Sequence, residues 1–340
     1  MLAPAPTASA ANELKPRVPV VWAEGPCTTI VDQSTAAIVH FDYSVSVEED
    51  PEDRTFDEVD DSRTHQFFAF RKQDLPANDP PVWISRADIE RARTRDPNVD
   101  PQAITPDMVL EDATRFAPDE WVRITPDDGR VPITFAQAAI GVDWDTSEVE
   151  PGTYEIWAYT WEPQGNIWSR RQGIVKLVAS ASAAADAGPS ISLLEDQTQI
   201  VARSPYTPPG CADVAPGTTV TLEWGEKVGT IVPQWNLAFE HQPIESGPLA
   251  FVFEPPEAAA DTTTIVLRAT VTDDTCRSYA AYSSVLDVLA NSQSGEDVEV
   301  PRGKDPCSDG GGGCSIDQRS YAGLVLLPLL AWRRRRRPRP

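Results

Sequence analysis

Chemistry in this chain has three histidines, five cysteines and 52 carboxylates to draw on. His40 falls on the outward phase of "AAIVHFDYSVSV", with Asp42 two residues along. A carboxylate beside an imidazole can orient it as a general base, but a base needs a nucleophile to activate. No GxSxG, HExxH or GxxxxGK[ST] motif supplies one. His65 and His241 are isolated in sequence. The carboxylates are too numerous for any two to be singled out as an acid and base couple. Their densest run, "EEDPEDRTFDEVDD" from Glu48 to Asp61, offers hard oxygen ligands of the kind calcium takes. It lacks the EF-hand spacing and glycine, and reads first as a solvated loop between strands around Val45 and Phe68.

Cys27, Cys211, Cys276, Cys307 and Cys314 include no CxxC pair. A structural zinc site would need more ligands than three scattered histidines provide, so no metal and no cofactor is expected. Five cysteines without metal spacing fit an exported protein with one or two disulfides and an odd thiol. Cys211 precedes one strand and Cys276 sits in a late hairpin turn, which favours a Cys211–Cys276 bond tying two loops at one end of a sandwich.

Aromatic residues give the remaining candidate. In "EPGTYEIWAYTWEPQGNIWSRRQGIVKLVA", Ile156, Ala158 and Thr160 take the inward phase of a strand. Trp157, Tyr159 and Trp161 then point outward, with Trp168 across the turn. Large aromatics on an outward face need a cover or a partner. Residues 74–141 could provide the cover. "SRADIERARTR" there reads as a helix capped by Ser85, and "TPDMVLEDATRF" as another starting at Thr105 with Pro106 in its first turn. The rival is an exposed platform that stacks sugar rings, as in carbohydrate-binding modules. A third possibility is an enzyme whose site lies within the 74–141 insertion.

The elements that position these residues are strands. Proline, 32 of 340 residues, is about twice its usual ~5% and clusters between runs rich in Val, Ile, Thr, Trp and Tyr. "ASASAAADAGPS" reads as a linker over 179–190, dividing a larger unit at 13–178 from a smaller one at 191–290. In the smaller unit, Val220, Leu222 and Trp224 alternate with Thr219, Thr221 and Glu223. Ile265, Leu267, Ala269 and Val271 likewise alternate with Arg268, Thr270 and Thr272. Period-two alternation over roughly 100 residues predicts an antiparallel β-sandwich, and the pattern resembles immunoglobulin-like sandwiches. The larger unit ends in a similar hairpin, and Pro-Gly-Thr-Tyr at 151–154 resembles the approach to a tyrosine corner. "GPCTT" around Cys27 echoes "PGCAD" around Cys211, which completes a weak internal repeat. The expected fold is therefore mainly β: two immunoglobulin-like sandwiches, the first enlarged by an insertion with short helices. A polar, flexible stalk follows at 291–313, then a short membrane-associated helix.

Net charge is −23, and the six arginines beyond Trp332 leave −29 on the rest. Nucleic acid is a poor partner for such a surface. Residues 1–12 have no basic region and apolar core, yet Ala8-Ser9-Ala10 fits the small-residue cleavage pattern. The opening reads either as the end of a signal peptide that starts upstream or as an Ala/Pro leader.

The last segment, 314–340, runs "CSIDQRSYAGLVLLPLLAWRRRRRPRP". Tyr321 to Trp332 is uncharged and would span about 18 Å as a helix, against a ~30 Å hydrocarbon core. The block Arg333, Arg334, Arg335, Arg336 and Arg337 would hold the C-terminus on the cytoplasmic side, a stop-transfer element at the inner membrane. A glycine-rich spacer (Gly310–Gly313), one cysteine (Cys314), a short apolar run (Leu324–Trp332) and a terminal arginine cluster together resemble the MYXO-CTERM sorting tail of myxobacterial exported proteins. The resemblance covers about 27 residues. It implies export machinery, transient insertion in the inner membrane, processing by a myxosortase-type intramembrane protease, and display at the cell surface or outer membrane. It makes Cys314 the signature cysteine and leaves Cys27 and Cys307 for a second disulfide. The function expected is non-catalytic display of two sandwich modules, with a glycan or surface protein as the partner class.

Overall fold

The computed structural model describes residues 18–48, 64–71, 80–94, 96–127, 129–161, 166–194, 199–229, 231–260, 264–291 and 300–307. The first unit contributes β1 (Val21–Trp22), β2 (Thr28–Asp32), β3 (Ile38–Phe41), β4 (Tyr43–Ser44), β5 (Thr64–Arg71), helix α1 (Arg86–Arg93), β6 (Trp121–Arg123), β7 (Val131–Pro132), helix α2 (Phe135–Ala138), β8 (Val142–Asp145), β9 (Gly152–Trp161), β10 (Ile167–Arg170) and β11 (Ile174–Val178). Its main sheet runs β2-β11-β9-β5-β6, with β10 also on β9 and β7 on β5. The ten-residue β9 pairs with all eight residues of β5, from Thr64 opposite Trp161 to Arg71 opposite Tyr154. β3 pairs with β8, and β4, which follows β3 after Asp42, pairs with β1, forming the second layer. Between the layers lies a core of Val39, Phe41, Tyr43, Phe67, Ala69, Trp144, Tyr154, Ile156, Ala158, Val175 and Leu177, among others. The Tyr154 hydroxyl donates to the Glu150 carbonyl at 2.7 Å, the tyrosine corner foreshadowed by Pro-Gly-Thr-Tyr.

β5 and β9 are buried on both faces. On the far side Phe68, Phe70, Trp157, Tyr159 and Trp161 meet Trp83, Ile84, Ile89, Leu110 and Phe116 of the insertion. α1 forms as its sequence predicts: the Ser85 hydroxyl accepts from the Asp88 backbone N–H at 3.2 Å, and Ile89 and Ala92 face inward. The second expected helix does not form. Pro106–Met108 makes a single 3-10 turn, with no side-chain bond from Thr105. Val109 and Leu110 are drawn instead into backbone bonding with Trp83, whose carbonyl accepts from the Leu110 N–H at 2.8 Å. Burying both residues in the aromatic cluster outweighs a helix that would keep only one of its faces inside.

The second unit follows a 3-10 helix, Ala181–Asp186, in the segment whose composition reads as a linker. It comprises β12 (Ser190–Leu193), β13 (Gln199–Val201), β14 (Gly210–Asp213), β15 (Thr219–Glu226), β16 (Asn236–Pro243), β17 (Gly247–Pro248), helix α3 (Glu257–Ala260), β18 (Ile265–Thr272), β19 (Ser278–Tyr282) and β20 (Asp287–Leu289). One sheet runs β16-β15-β18-β19; β12-β14-β17 and the pair β13-β20 make the opposing layer. Val220, Leu222, Trp224, Ile265, Leu267, Ala269 and Val271 fill the space between, as their alternation requires. On the outer face Arg268 bonds Glu223 directly opposite, Nε to Oε2 at 2.7 Å, and lies 4.4 Å from the Trp235 ring centroid. The sheets are not wholly antiparallel. In each unit an early strand runs parallel to the last one, β2 with β11 and β13 with β20. This shared departure is the strongest trace of the internal repeat.

Two cysteine pairings differ from expectation. Cys27 is bonded to Cys211 and Cys276 to Cys307, with Cα–Cα separations of 6.0 and 5.7 Å. Neither a Cys211–Cys276 nor a Cys27–Cys307 bond forms. Cys211 lies within β14, next to Cys27, which immediately precedes β2, so the partner is found in the other unit. Close approach there needs glycine at 173: its φ is +87°, a side chain would strike the Cys27 carbonyl, and that carbonyl accepts from Ile174 N–H at 2.9 Å. Cys276 meets Cys307 because residues 300–307 are not a free stalk. They return along the edge strand β16, where Glu240 N–H donates to the Pro301 carbonyl at 3.0 Å and Gly303 N–H to the Glu240 carbonyl at 2.6 Å. An edge strand offers unpaired backbone groups, and this segment satisfies two of them.

The units also share buried polar contacts. Lys176 on β11, 3% exposed, donates to the Gly188 carbonyl at 3.0 Å and pairs with Asp213 on β14, 34% exposed. Arg170 on β10 donates to the carbonyls of Tyr282 (3.1 Å) and Leu193 (2.9 Å). The uneven exposure of the Lys176–Asp213 pair predicts uneven mutational costs. Asp213→Ala strands a buried ammonium and should cost about 3 kcal/mol. Lys176→Met leaves a carboxylate that water can reach and should cost about 1 kcal/mol. Urea denaturation of both variants checks the ordering, and equal losses would show that the pair is not desolvated as described.

Candidate functional site

β9 carries the residues most able to bind a ligand, because its outward face is a row of aromatics. The strand is rich in β-branched and aromatic residues, which favour a pleated strand buried on both faces. Register with β10 sets Trp168 opposite Tyr159 and Arg170 opposite Trp157. Trp157 is 7% exposed, and Tyr159 and Trp161 are fully buried. The Tyr159 hydroxyl donates to the Val82 carbonyl at 3.0 Å, and Trp168 Nε1–H donates to the Pro81 carbonyl at 2.9 Å. Trp83 packs edge-on against Trp161 at 6.0 Å between centroids, and Tyr159 lies 4.8 Å from Trp168. The sugar-stacking platform is therefore overturned: these rings are the floor on which the insertion sits.

The described part of the insertion holds a buried ion pair. Arg130 donates to Asp88 at 2.7 Å, with side chains 4% and 1% exposed, and its guanidinium lies 4.9 Å from the Trp161 ring centroid. Burial, and secondarily the Asp88 carboxylate, raises the Tyr159 phenol well above its ordinary pKa, so it stays a neutral donor. In the residues described between 80 and 141, this ion pair serves packing.

The other end of the same face meets the second unit. Glu155, 3% exposed, accepts from Trp157 Nε1–H at 3.3 Å. Beside it Tyr279 of β19 is buried, and its phenol is raised by burial first and by the Glu155 charge second. Thus Trp157 to Trp161 touch the insertion, while Glu155, Arg170 and Lys176 face the second unit.

The histidines occupy three different settings. His40 sits on the solvent face between two carboxylates, Nδ1 donating to Asp143 Oδ1 at 2.6 Å and Nε2 to Asp42 Oδ1 at 3.2 Å. Asp143 is 103 residues away and enters only through the β3–β8 register, which places it opposite His40; sequence proximity gave Asp42 alone. The Asp143 hydrogen bond raises the His40 pKa. When protonated, the ring donates from both nitrogens and the imidazolium ties β3 to β8 across the strands. His65 on β5 is buried, with Nε2–H donating to the Val18 carbonyl at 2.9 Å. His241 has a left-handed backbone, φ 52°, where residues 300–307 cross β16. Among the described residues no three His, Cys, Asp or Glu side chains group as a metal site. Glu48 accepts from the Phe135 N–H at 2.8 Å. The rest of the acidic run, through Asp61, lies outside the described residues, as do Cys314, Arg333 to Arg337 and the expected membrane-associated helix. No helix among the described residues is long and apolar enough to cross a membrane.

No family model matches the chain, and no curated protein does. Among solved structures, Dpr2 Ig1–Ig2 in complex with DIP-Theta Ig1–Ig3 aligns over 81% of this chain and 66% of its own at 8% identity, TM-score 0.20. A DUF3823 family protein from Bacteroides ovatus aligns over 48% of this chain and 84% of its own at 13% identity, TM-score 0.20. The ICAM-5 D1–D4 ectodomain fragment aligns over 82% and 53% at 9% identity, TM-score 0.19. The chain thus spans just under two thirds of the first and about half of the last. Similarity at this level carries no argument, and the immunoglobulin-like reading rests on the strand topology and tyrosine corner described above.

Trp161→Ala should cost about 3–5 kcal/mol, the usual penalty for emptying a buried aromatic site. A urea midpoint within error of the parent would overturn its burial under the insertion. A pH effect follows from His65. Burial lowers its pKa from 6.5 to about 4, so the fold holds the neutral ring. Stability from this site is complete above pH 6.5 and is lost as pH falls toward 4, on the order of 3 kcal/mol. His40 has the opposite sign: its contribution is present below the ordinary histidine pKa and is lost as pH rises through the raised value. His65→Gln, which keeps a donor for Val18 but cannot titrate, should flatten the stability profile between pH 7 and 4 by about that amount. An unchanged profile would rule His65 out as its source.

Proposed function

We propose that this is an exported, non-catalytic protein that holds two β-sandwich modules at the cell surface, delivered by a cleavable C-terminal signal of the MYXO-CTERM kind. The observation that carries the reading is the cysteine inventory. Disulfides persist in oxidising compartments outside the cytoplasm. The two bonds take Cys27, Cys211, Cys276 and Cys307, and Cys314 is the cysteine that remains. It is also the one that the tail resemblance marks for processing. The tail itself is argued from sequence: a glycine spacer, Cys314, an apolar run too short for a lasting span, and Arg333 to Arg337 as a topological stop.

In this reading the work of the folded part is presentation. Its largest aromatic face is spent inside the molecule, so a partner meets the outer strands and loops of an acidic body. A surface protein or glycan bound there is the partner class, reached by contacts other than ring stacking on β9.

The test is the mature C-terminus. Expressed in a myxobacterial host, the surface-exposed protein should end before Arg333 by intact mass. Cys314→Ala should keep the arginine block and accumulate in the inner-membrane fraction. A surface-exposed parent protein that still carries Arg333 to Arg337 would refute the sorting role.

A further inference from the structure

The two disulfides lie in series along the chain without overlap. Cys27–Cys211 closes a loop around almost the whole first unit, and Cys276–Cys307 closes one around β19, β20 and the return along β16. A pull applied beyond Cys27 at one end and beyond Cys307 at the other therefore has a covalent short cut at each bond. It runs from Cys27 to Cys211, along residues 212–275, and from Cys276 to Cys307. We propose that the pairing is a tension bypass: the first unit and the C-terminal return are held out of the line of force, and residues 212–275, which contain β15, β16, β17 and β18, are the stretch that extends.

The C-terminal junction is built to hold position. Cys276 has φ +63° in the turn after β18, a conformation that needs local support in a non-glycine residue. Asp273, 2% exposed, provides it. Its Oδ1 accepts from Thr275 N–H (2.9 Å), the Thr275 hydroxyl (2.7 Å) and Arg277 N–H (2.9 Å), while Oδ2 accepts from Arg277 Nε–H at 2.8 Å. Cys307 N–H is fixed by Asp305 Oδ1 at 2.8 Å, and Glu240 donates its N–H to Pro301 and accepts from Gly303 N–H of the same segment. The described residues end at Cys307, seven positions before Cys314 in sequence. That the load comes from a surface anchor rests on the sorting reading above; the path through the disulfides does not.

The experiment stretches the full chain between handles at its two ends, oxidised and then reduced. Oxidised protein should gain roughly 220 Å as residues 212–275 straighten at ~3.4 Å per residue. Reduced protein should gain on the order of 950 Å, because the chain from Cys27 to Cys307 then extends. Cys307→Ser should add about 100 Å to the oxidised value, for residues 277–306. If that variant does not fold, the reduction arm decides alone. Non-reducing peptide mapping of the same sample must return Cys27 joined to Cys211 and Cys276 joined to Cys307. Any other pairing, or an oxidised extension of about 600 Å or more, overturns the bypass. Neither result bears on the mature C-terminus, whose intact mass tests the anchor separately.

Discussion

Burial of β9 on both faces is the constraint from which the rest of the molecule follows. A strand in a two-layer sandwich ordinarily alternates inside and outside, and polar residues on its outer face need no cover. β9 instead has Tyr154, Ile156 and Ala158 on one side and Trp157, Tyr159 and Trp161 on the other. Each buried aromatic removes about 150–250 Å² from water. A sheet so apolar on its second face would be an aggregation surface if uncovered. The insertion is the answer at one end of the face and the second unit at the other, so one ten-residue strand determines why the first unit is large and why the second is docked against it. The polar residues at the docked end, Glu155, Arg170 and Lys176, are buried or half-buried and need partners there; the connecting segment supplies the Gly188 carbonyl and the second unit Asp213 and the carbonyls of Leu193 and Tyr282.

The disulfides reinforce this docking in a way the noncovalent contacts cannot. In the chain-entropy view, a bond stabilises by removing freedom from the unfolded state, and the effect grows with the logarithm of the closed loop. A sequence separation of 184 for Cys27–Cys211 corresponds to about 5 kcal/mol, and 31 for Cys276–Cys307 to about 4 kcal/mol. The longer loop contains every strand of the first unit beyond β1, together with β12 and β13 of the second. Joining β2 to β14 therefore makes the docked arrangement part of the covalent structure, and separating the two units would leave them tethered at both the linker and the bond.

How much of this was legible in the sequence varied with the range of the interaction. Alternation in β15 and β18 gave the second core directly, because period-two patterning is local. Pro-Gly-Thr-Tyr announced the corner for the same reason, and Ser85 announced α1. The outward aromatics of β9 correctly required a cover, and the insertion was the available one. What failed was long-range. Cys211 was matched to Cys276 because both lie near turns of one unit, whereas the partner of each is fixed by docking, by Gly173 letting Cys27 approach, and by residues 300–307 returning to an edge. Asp143 was invisible beside His40 until the β3–β8 register placed it there. The helix expected from Thr105 was lost to Trp83, whose backbone competes for Val109 and Leu110; local propensity is a weak prior when tertiary contacts disagree. Parallel pairing of early and last strands leaves no mark on alternation, so nothing in the pattern could have shown it.

The distribution of charge gives the fold its outward character. Lys176, Arg130 and Arg171 are used as internal struts, with Arg170 half-buried beside them: their donors go to carboxylates or carbonyls, or, for Arg171, the guanidinium lies 5.2 Å from the Phe41 ring. The buried carboxylates Asp88, Glu155 and Asp273 match the buried cations Lys176, Arg130 and Arg171 in number. The surface thus keeps the acidic balance of the whole chain, and removal of the six terminal arginines would make it more acidic. Self-repulsion of that kind opposes compaction, although screening limits it beyond about 8 Å at physiological ionic strength. A body of three small cores under such repulsion gains most from cross-links that act on the unfolded chain and are indifferent to salt. Two disulfides spanning most of the chain meet that need where further surface ion pairs, each worth about 1 kcal/mol or less, would not.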